Sequence, residues 1–442
     1  MRSERIWGIW ALTSETASRL GDLVEIVRGT TYKSLLLDEP GPILLGLGSI
    51  AIHGGFRDEK LKTYGGESKE QHLLGPGDLF ASLKSVTQDA ELLGAVARVP
   101  DSVTVGRLTQ DTVKLIPKSD TIDLGFIYWI LRTPQYRDYC FRFATGVTTL
   151  GLQRKDFLDY TIPRRTEFRS IIHNTLEEIE LLEAKLNDIS TNISTIISTL
   201  FRSWFIDFDP VKAKAEGKLP NGMDEETASL FPDSFEDSEL GPIPTGWKWG
   251  QLGDCISVAG GGTPSTKNED FWDGQYNWTS PKDLSNSNSI IMLDTERTIT
   301  EAGLAKVSSG LLPVDTVLMS SRAPIGYLAL TKIPVAINQG YIAIPPKNNM
   351  SPNFMLSWIR YKIPLIEAYS SGSTFPEISK KEFRKLPILI PPAELIEKFN
   401  EKTTRLYDSM ETSLKQMNCL KNTRDALLPR LMSGELKVPM EA

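Results

Sequence analysis

Two sets of basic, amide and hydroxyl side chains, one in each half of this sequence, have the chemistry that contacts nucleic acid. Arg, Asn, Gln and Lys can bond to base edges, while Ser, Thr, Lys and backbone amides hold phosphates. The candidates in the first half are Lys33, Arg57, Lys60, Lys62, Tyr64, Lys84, Arg154 and Lys155. Those in the second half are Thr263, Ser265, Lys267, Lys282, Arg322, Asn338, Gln339, Ser373, Thr374, Lys380 and Lys381. Each one alone is typical of a solvated loop, so the prediction depends on the recurrence of polar loops at corresponding places.

Residue patterns for catalysis or metal binding are missing. The histidines, His53, His72 and His173, have no metal-ligand spacing, and the three cysteines are scattered. The sequence lacks the GxxxxGK[ST] phosphate loop, the GxGxxG fingerprint and the GxSxG nucleophile elbow. The [DNS]PP[YF] tetrapeptide of adenine and cytosine methyltransferases is also absent. We therefore predict no catalytic residue, no metal site and no cofactor in this chain.

The candidate residues follow an internal repeat at about half the chain length. The matching segments are 20–22 and 252–254 (LGD in both), 155–157 and 381–383 (KDF and KEF), and 162–163 and 390–391 (IP in both). The offset stays between 226 and 232 residues, which indicates one module used twice. Both copies show short apolar runs broken by Gly and Pro, so each is predicted to be an α+β domain.

A long helix is predicted after each module. Apolar side chains at alternating spacings of 4 and 3 form the first stripe: Phe168, Ile172, Ile179, Leu182, Leu186, Ile189, Ile193, Ile196 and Leu200. The second stripe contains Phe399, Leu406, Met410, Met417, Leu420 and Leu427, with polar positions at Thr403, Ser413 and Arg424. A strict heptad register predicts a helix that packs along a partner helix, and the simplest partner is the other helix. The alternative is two separate amphipathic helices, each lying on its own module.

These patterns divide the chain into five predicted segments. They are a first module (1–163), a long helix (164–206), an acidic connector (207–245), a second module (246–392), and a second long helix with a tail (393–442). Apolar residues at the helix ends, namely Trp204, Phe205, Leu428 and Leu431, either dock a partner protein or cap the core of the helix pair. Arg424 is expected to weaken one layer of that pair.

The net charge of −7 does not exclude a nucleic-acid partner. Residues 207–245 contain ten acids and three lysines, so this stretch alone accounts for −7. Elsewhere 46 acids balance 46 bases, and each half can still carry a basic face. Scattered cysteines are typical of a reduced, cytoplasmic protein. No apolar run approaches the roughly 20 residues that cross a bilayer. We expect a cytoplasmic location and no membrane partner.

Four features together resemble the specificity (S) subunit of type I restriction–modification systems. They are GPIPTGWKWGQLGD (241–254), LFRSWFIDFDPV (200–211), ALLPRLMSGELKV (426–438), and the paired SG…K(D/E)F…IP segments within the repeat. The resemblance implies an α+β fold with two similar α/β-type target recognition domains, separated by an antiparallel coiled coil of the two long helices. Each domain would read one half of a bipartite double-stranded DNA site, and the coil would act as a ruler.

The resemblance also implies partners and an absence of catalysis in this subunit. Two methyltransferase (modification) subunits would use S-adenosylmethionine, and two restriction subunits would use ATP and Mg to cut unmethylated DNA in phage defence. Three other interpretations stay open. The chain could be a coiled-coil adaptor that joins two protein-binding modules, or a specificity subunit of a related methylation-only or phage-defence system. It could also be a nucleic-acid-modifying enzyme with an unrecognised active site.

Overall fold

A computed structural model describes residues 17–433, except residues 60, 87–88, 148, 164–165, 286–288, 347–349 and 373–375. Within the long helices, the side chains of residues 167–168 and 430–433 also lie outside the description. The chain divides into two compact units: the first runs to Glu183 and resumes at Cys419, and the second is Ala184–Asn418. Each unit therefore combines one α+β module with a part of both long helices.

The first unit is built on a four-stranded antiparallel sheet of order β2-β9-β5-β7 and a three-stranded sheet of order β3-β8-β4. Its strands are β1 (Ala17–Arg19), β2 (Val24–Arg28), β3 (Ile43–Leu45), β4 (Leu73–Leu74), β5 (Leu79–Ser82), β6 (Lys84–Ser85), β7 (Val96–Arg98), β8 (Gly106–Leu108), β9 (Thr112–Pro117), β10 (Leu150–Gly151) and β11 (Thr161–Pro163). Its helices are α1 (Leu20–Leu23), α2 (Leu124–Ile130), α3 (Pro134–Arg142), α4 (Arg154–Leu158) and the start of α5 (Glu167–Phe205). Buried residues of α2 and α3 pack on β5 and β9 to form the main core.

The second unit repeats this plan with a four-stranded sheet of order β16-β19-β18-β21 and a three-stranded sheet of order β17-β15-β20. Its strands are β12 (Phe235–Glu236), β13 (Ile243–Pro244), β14 (Lys248–Gln251), β15 (Trp272–Thr279), β16 (Ile291–Met292), β17 (Arg297–Ile299), β18 (Val317–Ser321), β19 (Ile325–Thr331), β20 (Ala336–Ile337), β21 (Tyr341–Ile344) and β22 (Pro387–Ile390). Its helices are α6 (Asp209–Ala215), α7 (Glu225–Ser229), α8 (Leu252–Cys255), α9 (Pro281–Ser285), α10 (Glu301–Leu304), α11 (Pro352–Ala368), α12 (Lys380–Arg384) and most of α13 (Ala393–Ser433).

The acidic segment 207–245 packs against the second unit. Val211 and Phe231 are fully buried, in the same cluster as α5 and α13 side chains. Lys398 on α13 lies 3.1 Å from Glu226, and Lys402 lies 3.4 Å from Asp224. The segment is therefore ordered by its apolar residues, while part of its negative charge is paired with α13.

The two long helices pack against each other within both units. In the first unit, Arg424 lies 2.9 Å from Glu183, and Leu428 joins Ile172 in one buried cluster. In the second unit, the ring centroids of Phe201 and Phe399 are 5.9 Å apart. The early part of α5 thus meets the late part of α13, and the reverse holds for their other ends. The predicted antiparallel pairing of the helices is confirmed.

The buried seam of α5 differs from the predicted stripe. Leu182, Ile189 and Ile196 are 46%, 44% and 53% exposed, so their prediction as core positions is wrong. Their C-terminal neighbours take the seam instead: Ile197 is 2% exposed, and Glu183 and Ser190 are half-buried. Of the other predicted positions, Ile172, Ile179 and Ile193 are buried and Leu186 and Leu200 are half-buried, while the Phe168 side chain lies outside the described residues.

The buried face of α13 agrees with the stripe of core positions predicted from the sequence. Phe399 and Met410 are buried, and Leu406, Met417, Leu420 and Leu427 are half-buried. The polar position Thr403 is fully buried because its hydroxyl donates to the Phe399 carbonyl at 2.8 Å and accepts from Asn353 Nδ2 at 3.1 Å. Because the hydroxyl both donates and accepts a hydrogen bond, its burial does not disrupt the packing of α13 at this position.

Arg424 does not leave an unpaired charge in the helix pair. Its side chain is 13% exposed and contacts both Glu183 carboxylate oxygens, at 2.9 and 3.2 Å. Burial raises the pKa of Glu183 above its ordinary value, although the charge of Arg424 opposes that shift. The expected weak layer is thus replaced by an ion pair between α5 and α13.

The apolar residues at the helix ends belong to the cores of their own units. Trp204 and Phe205 are 3% and 6% exposed, in a cluster with Phe231, Trp247 and Phe399. Leu428 is 6% exposed among first-unit residues. These three residues cap the core and do not form a docking surface. The Leu431 side chain lies outside the described residues.

Candidate nucleic-acid interface

A cleft of about 520 Å³ opens in the first unit between the main sheet and the start of α4. We call it the first-module cleft, and its polar lining residues are Arg28, Lys84, Gln110, Asp111, Thr145, Gln153 and Arg154. Three of the seven are cationic and two carry carboxamides. This combination provides charge for phosphates and fork-shaped groups for base edges.

Backbone pairing holds the cations of the first-module cleft in place. The Leu152 N–H donates to the Leu83 carbonyl at 2.9 Å, which ties the residue before Gln153 to the residue before Lys84. Lys84 Nζ lies 2.7 Å from Asp111. Arg28 Nε donates to the Gln110 carbonyl at 2.8 Å, and an Arg154 Nη donates to the Ile26 carbonyl at 3.3 Å. The cations are therefore positioned by the sheet itself.

The second unit contains the same framework. Ser82 pairs with Thr112 in the first unit, and Ser320 pairs with Tyr341 in the second. The Ile378 N–H donates to the Ser321 carbonyl at 3.0 Å, as Leu152 does to Leu83. Counting along the chain from these matched positions gives three pairs of equivalent residues. Lys84 corresponds to Arg322, Gln110 corresponds to Gln339, and Arg154 corresponds to Lys380. We call the surface around these three second-unit residues the second-module site.

The basic groups of the second-module site are held in a similar way. The side chain of Arg322 lies 3.6 Å from the carboxylate of Glu377. The backbones of the same two residues form an isolated antiparallel β-bridge. Lys380 and Lys381 begin α12, which is capped by Ser379, whose hydroxyl accepts the Glu382 N–H at 3.2 Å. The Lys380 chain lies over Gly260, where an added Cβ would come within about 2.3 Å of its Nζ, so glycine leaves room for this cation.

Several sequence candidates lie elsewhere. Tyr64 is 5% exposed, with the Arg107 guanidinium 4.7 Å above its ring, so its prediction as a DNA contact is wrong. Lys33 is exposed and lies outside the cleft lining, as do Arg57, which pairs with Glu59 at 2.7 Å, and Lys62, which lies 3.7 Å from Asp38.

The remaining candidates are exposed loop residues or lie outside the description. Lys155 is exposed beside Arg154, Ser265 and Lys267 are exposed, and Lys282 lies 3.5 Å from Glu296. Lys60, Ser373 and Thr374 lie outside the described residues. Trp272 and Trp278 are buried against each other with ring centroids 5.1 Å apart, so they form a small core.

Sequence reasoning missed five of the seven polar residues that line the cleft, namely Arg28, Gln110, Asp111, Thr145 and Gln153. The repeat contains the signal for Gln110, because Thr109-Gln110 and Asn338-Gln339 precede equivalent strands. Arg28 has no such signal, because its equivalent in the second module is Gly260. Only the strand register identifies it.

Two other features are absent from the described residues. Among those residues, no group of three or more His, Cys, Asp or Glu side chains is placed to hold a metal ion. No helix in the described part of the chain has the length and apolar character that a membrane crossing requires.

Comparison with known proteins agrees with the sequence resemblance. The family model for the type I restriction modification DNA specificity domain matches residues 244–416. The chain is 35% identical over 188 residues to the specificity subunit of type I restriction enzyme MjaIX from Methanocaldococcus jannaschii, a match covering 42% of this chain and 44% of that protein. It is 26% identical over 291 residues to the HindI specificity subunit from Haemophilus influenzae, with 56% and 62% covered. The matches thus span less than two thirds of these relatives.

A solved structure shares the fold. The S subunit of a type I restriction–modification system from M. genitalium aligns with a TM-score of 0.53 at 16% identity, covering 94% of this chain and 95% of that one. The predicted fold class, two α+β modules and two long paired helices, is confirmed.

Proposed function

We propose that this chain belongs to the family of type I restriction modification DNA specificity domains, whose model matches residues 244–416, and that it recognises an asymmetric bipartite DNA target, one half through each module. The duplicated polar site carries this proposal. Lys84, Gln110 and Arg154 line a cleft in the first unit, and Arg322, Gln339 and Lys380 occupy equivalent positions in the second. Glutamine occupies one position in both modules, while the other two pairs, Lys84/Arg322 and Arg154/Lys380, differ in side chain, which suits the reading of two different half-sites.

In this proposal the chain positions other subunits and performs no catalysis. Two methyltransferase subunits, which supply the S-adenosylmethionine chemistry, and two restriction subunits, which use ATP and Mg, would act on the DNA that it selects. Within the second unit, the exposed apolar side chains of Ile189 and Ile196 on α5 are the surface that we assign to partner subunits. Their spacing of seven residues places them on one face of the helix.

We further propose that the helix pair sets the spacer between the half-sites. α5 has 39 residues and is continuous, so it is about 58 Å long at about 1.5 Å per residue. Two readers in successive major grooves need a stiff spacer on the scale of about 34–36 Å. Its contacts with α13 in both units stiffen it.

Lengthening both helices by one heptad tests whether the helix pair sets the spacer while the modules read the half-sites. Matched insertions within 168–200 and 396–431, checked by circular dichroism for folding, should change the spacer of the methylated site and leave both half-sites unchanged. Methylated adenines are mapped by sequencing DNA modified by the co-expressed methyltransferase complex. Altered half-sites with an unchanged spacer would assign sequence reading to the helices and contradict the proposal.

Neutralising cations of the first-module cleft tests DNA binding directly. Lys84→Gln and Arg154→Gln should weaken binding of the methyltransferase complex to all duplexes, and each should reduce the slope of log K against log salt by about 1. The matched control is Lys69→Gln, because Lys69 is exposed and does not line the cleft. A wild-type complex that binds no duplex at low salt would favour the adaptor interpretation. Methyl transfer by the chain alone would favour an enzyme.

A further inference from the structure

The carboxamide of Gln339 lies exposed at the tip of a tight turn in the second-module site. Asn338 and Gln339 join β20 to β21, and both residues were candidates on chemistry alone. The structure separates them. Asn338 Oδ1 accepts the Gly340 N–H at 2.8 Å, which closes the turn, and Asn338 is half-buried. Gln339 is exposed, and its described side-chain contact is with Thr263.

Thr263 fixes the orientation of this carboxamide. Its hydroxyl donates to Gln339 Oε1 at 2.8 Å. The backbone beside Thr263 is itself held, because the Gly262 N–H donates to the Ile337 carbonyl at 2.9 Å and the Gly262 carbonyl accepts from Trp278 Nε1 at 3.1 Å. A Cβ at Gly261 would lie 1.7 Å from the Ile337 carbonyl oxygen, so glycine is required for this close approach.

A carboxamide held in this way matches one base edge. Gln can accept from adenine N6 and donate to adenine N7 in the major groove. The Oε1 atom can accept a second hydrogen bond besides that from Thr263, and the two Nε2 hydrogens supply the donor. Orientation before binding reduces the entropy that an exposed Gln side chain loses on contact.

The surrounding charges fit the same orientation of DNA. By register, Gln339 corresponds to Gln110, which lines the first-module cleft with Lys84 and Arg154. The Ser321 N–H donates to the Gly340 carbonyl at 2.8 Å, which places Arg322 and Gln339 on neighbouring residues of this contact. Arg322 and Lys380, the counterparts of the two cations by register, can hold phosphates while the carboxamide reads a base.

We propose that Gln339 reads an adenine in the second half-site and that Thr263 is its positioning residue. The inference rests on the proposed DNA-binding function. In the first module, the hydrogen bond described at Gln110 goes from Arg28 Nε to its backbone carbonyl, so among the described contacts its carboxamide is not held as that of Gln339 is. The two modules thus have a glutamine at the same position of the fold, but they differ in how its side chain is held.

The test uses the full chain co-expressed with its methyltransferase subunits, on the site mapped by methylation sequencing. Duplexes carrying each base at every half-site position are then compared in binding. Gln339→Ala should lower discrimination for adenine at one second-half position by about 5- to 150-fold, the range expected for one bidentate contact. The other positions and the first half-site should not change. Gln251→Ala, a change at an exposed glutamine of β14, is the matched control.

Thr263 variants separate positioning from general folding. Thr263→Val should reduce discrimination at the same position. Thr263→Ser keeps the hydroxyl and should discriminate as well as the wild type. The thermal melting temperature should be unchanged in both variants. Full discrimination by Gln339→Ala at all second-half positions, or a loss at a base other than adenine, would overturn the inference. If the wild-type complex shows no sequence-dependent binding, the proposed function fails first, so the two failures are distinguishable.

Discussion

Ile197→Ala is expected to lower the free energy of unfolding by about 2–5 kcal/mol, whereas Ile196→Ala should cost less than about 1 kcal/mol. The two residues are adjacent and identical in type, but Ile197 is 2% exposed and Ile196 is 53% exposed. Ile197 belongs to the buried cluster that includes Phe201, Phe399 and Met410. Removing its side chain leaves a cavity among these residues, while at Ile196 water already covers half of the surface.

Urea denaturation of the two variants and the wild type measures this difference, provided that the slopes against denaturant agree. Helix propensity cannot explain a difference, because both changes replace the same residue by alanine in the middle of α5. A larger destabilisation by Ile196→Ala than by Ile197→Ala would show that the seam follows the predicted 3, 4 stripe through Ile196. The control variant has a second use, because Ile196→Ala should weaken binding of the partner subunits if the exposed face of α5 is their surface.

The register of α5 could not be decided from sequence for a specific reason. The seam positions next to Leu182 and Ile189 are the polar residues Glu183 and Ser190, and only Ile196 has an apolar neighbour there, Ile197, so apolar content favours the stripe that the structure exposes. Packing selected the stripe that ends in Phe201 and Trp204, because these large rings fill the second-unit core. In α13 the neighbours of the stripe are mostly polar, and the sequence alone was sufficient.

The sequence predicted which loops of each module form the candidate site, but it did not predict all of the side chains that line it. The repeat located the loops correctly, since Lys84, Arg154, Arg322 and Lys380 occupy equivalent positions. Tyr64 failed because an aromatic residue in a polar loop can be buried by a long-range partner, here Arg107, which lies 43 positions away in the chain. Arg28 required the pairing register of β2 and β9, a long-range property that local pattern does not contain.

Glu177→Gln should destabilise the first unit by about 2–3 kcal/mol near neutral pH, the cost of unpairing charged hydrogen bonds that are largely withdrawn from water. The carboxylate of Glu177 accepts two hydrogen bonds from Arg98, both at 2.6 Å, and one from Trp129 Nε1 at 2.7 Å. These contacts fasten α5 to β7 and α2. The amide can accept through one oxygen only, and it cannot neutralise the charge of Arg98.

The same variant should change the response to acid. Burial alone would raise the pKa of Glu177, but the hydrogen bond and charge of Arg98 outweigh it and hold the pKa well below its ordinary value. A carboxyl group with a lower pKa in the folded state stabilises the fold above its unfolded pKa of about 4.3, and this contribution is lost as the pH falls below that value. Wild-type stability should therefore decline between about pH 5 and pH 3 more steeply than that of Glu177→Gln.

Glu178→Gln is the matched control for this experiment, because it removes the same charge from the next residue of α5, which is exposed. Thermal melting across the pH range should place Glu178→Gln close to the wild type and Glu177→Gln below it at pH 7, with the wild type and Glu177→Gln converging towards pH 3. Parallel curves for the two variants would mean that Arg98 finds equivalent compensation from Glu180, which lies 3.6 Å away. In that case the attachment of α5 to the first module would depend on the buried contacts of Ile172 and Leu176, and not on its ion pairs.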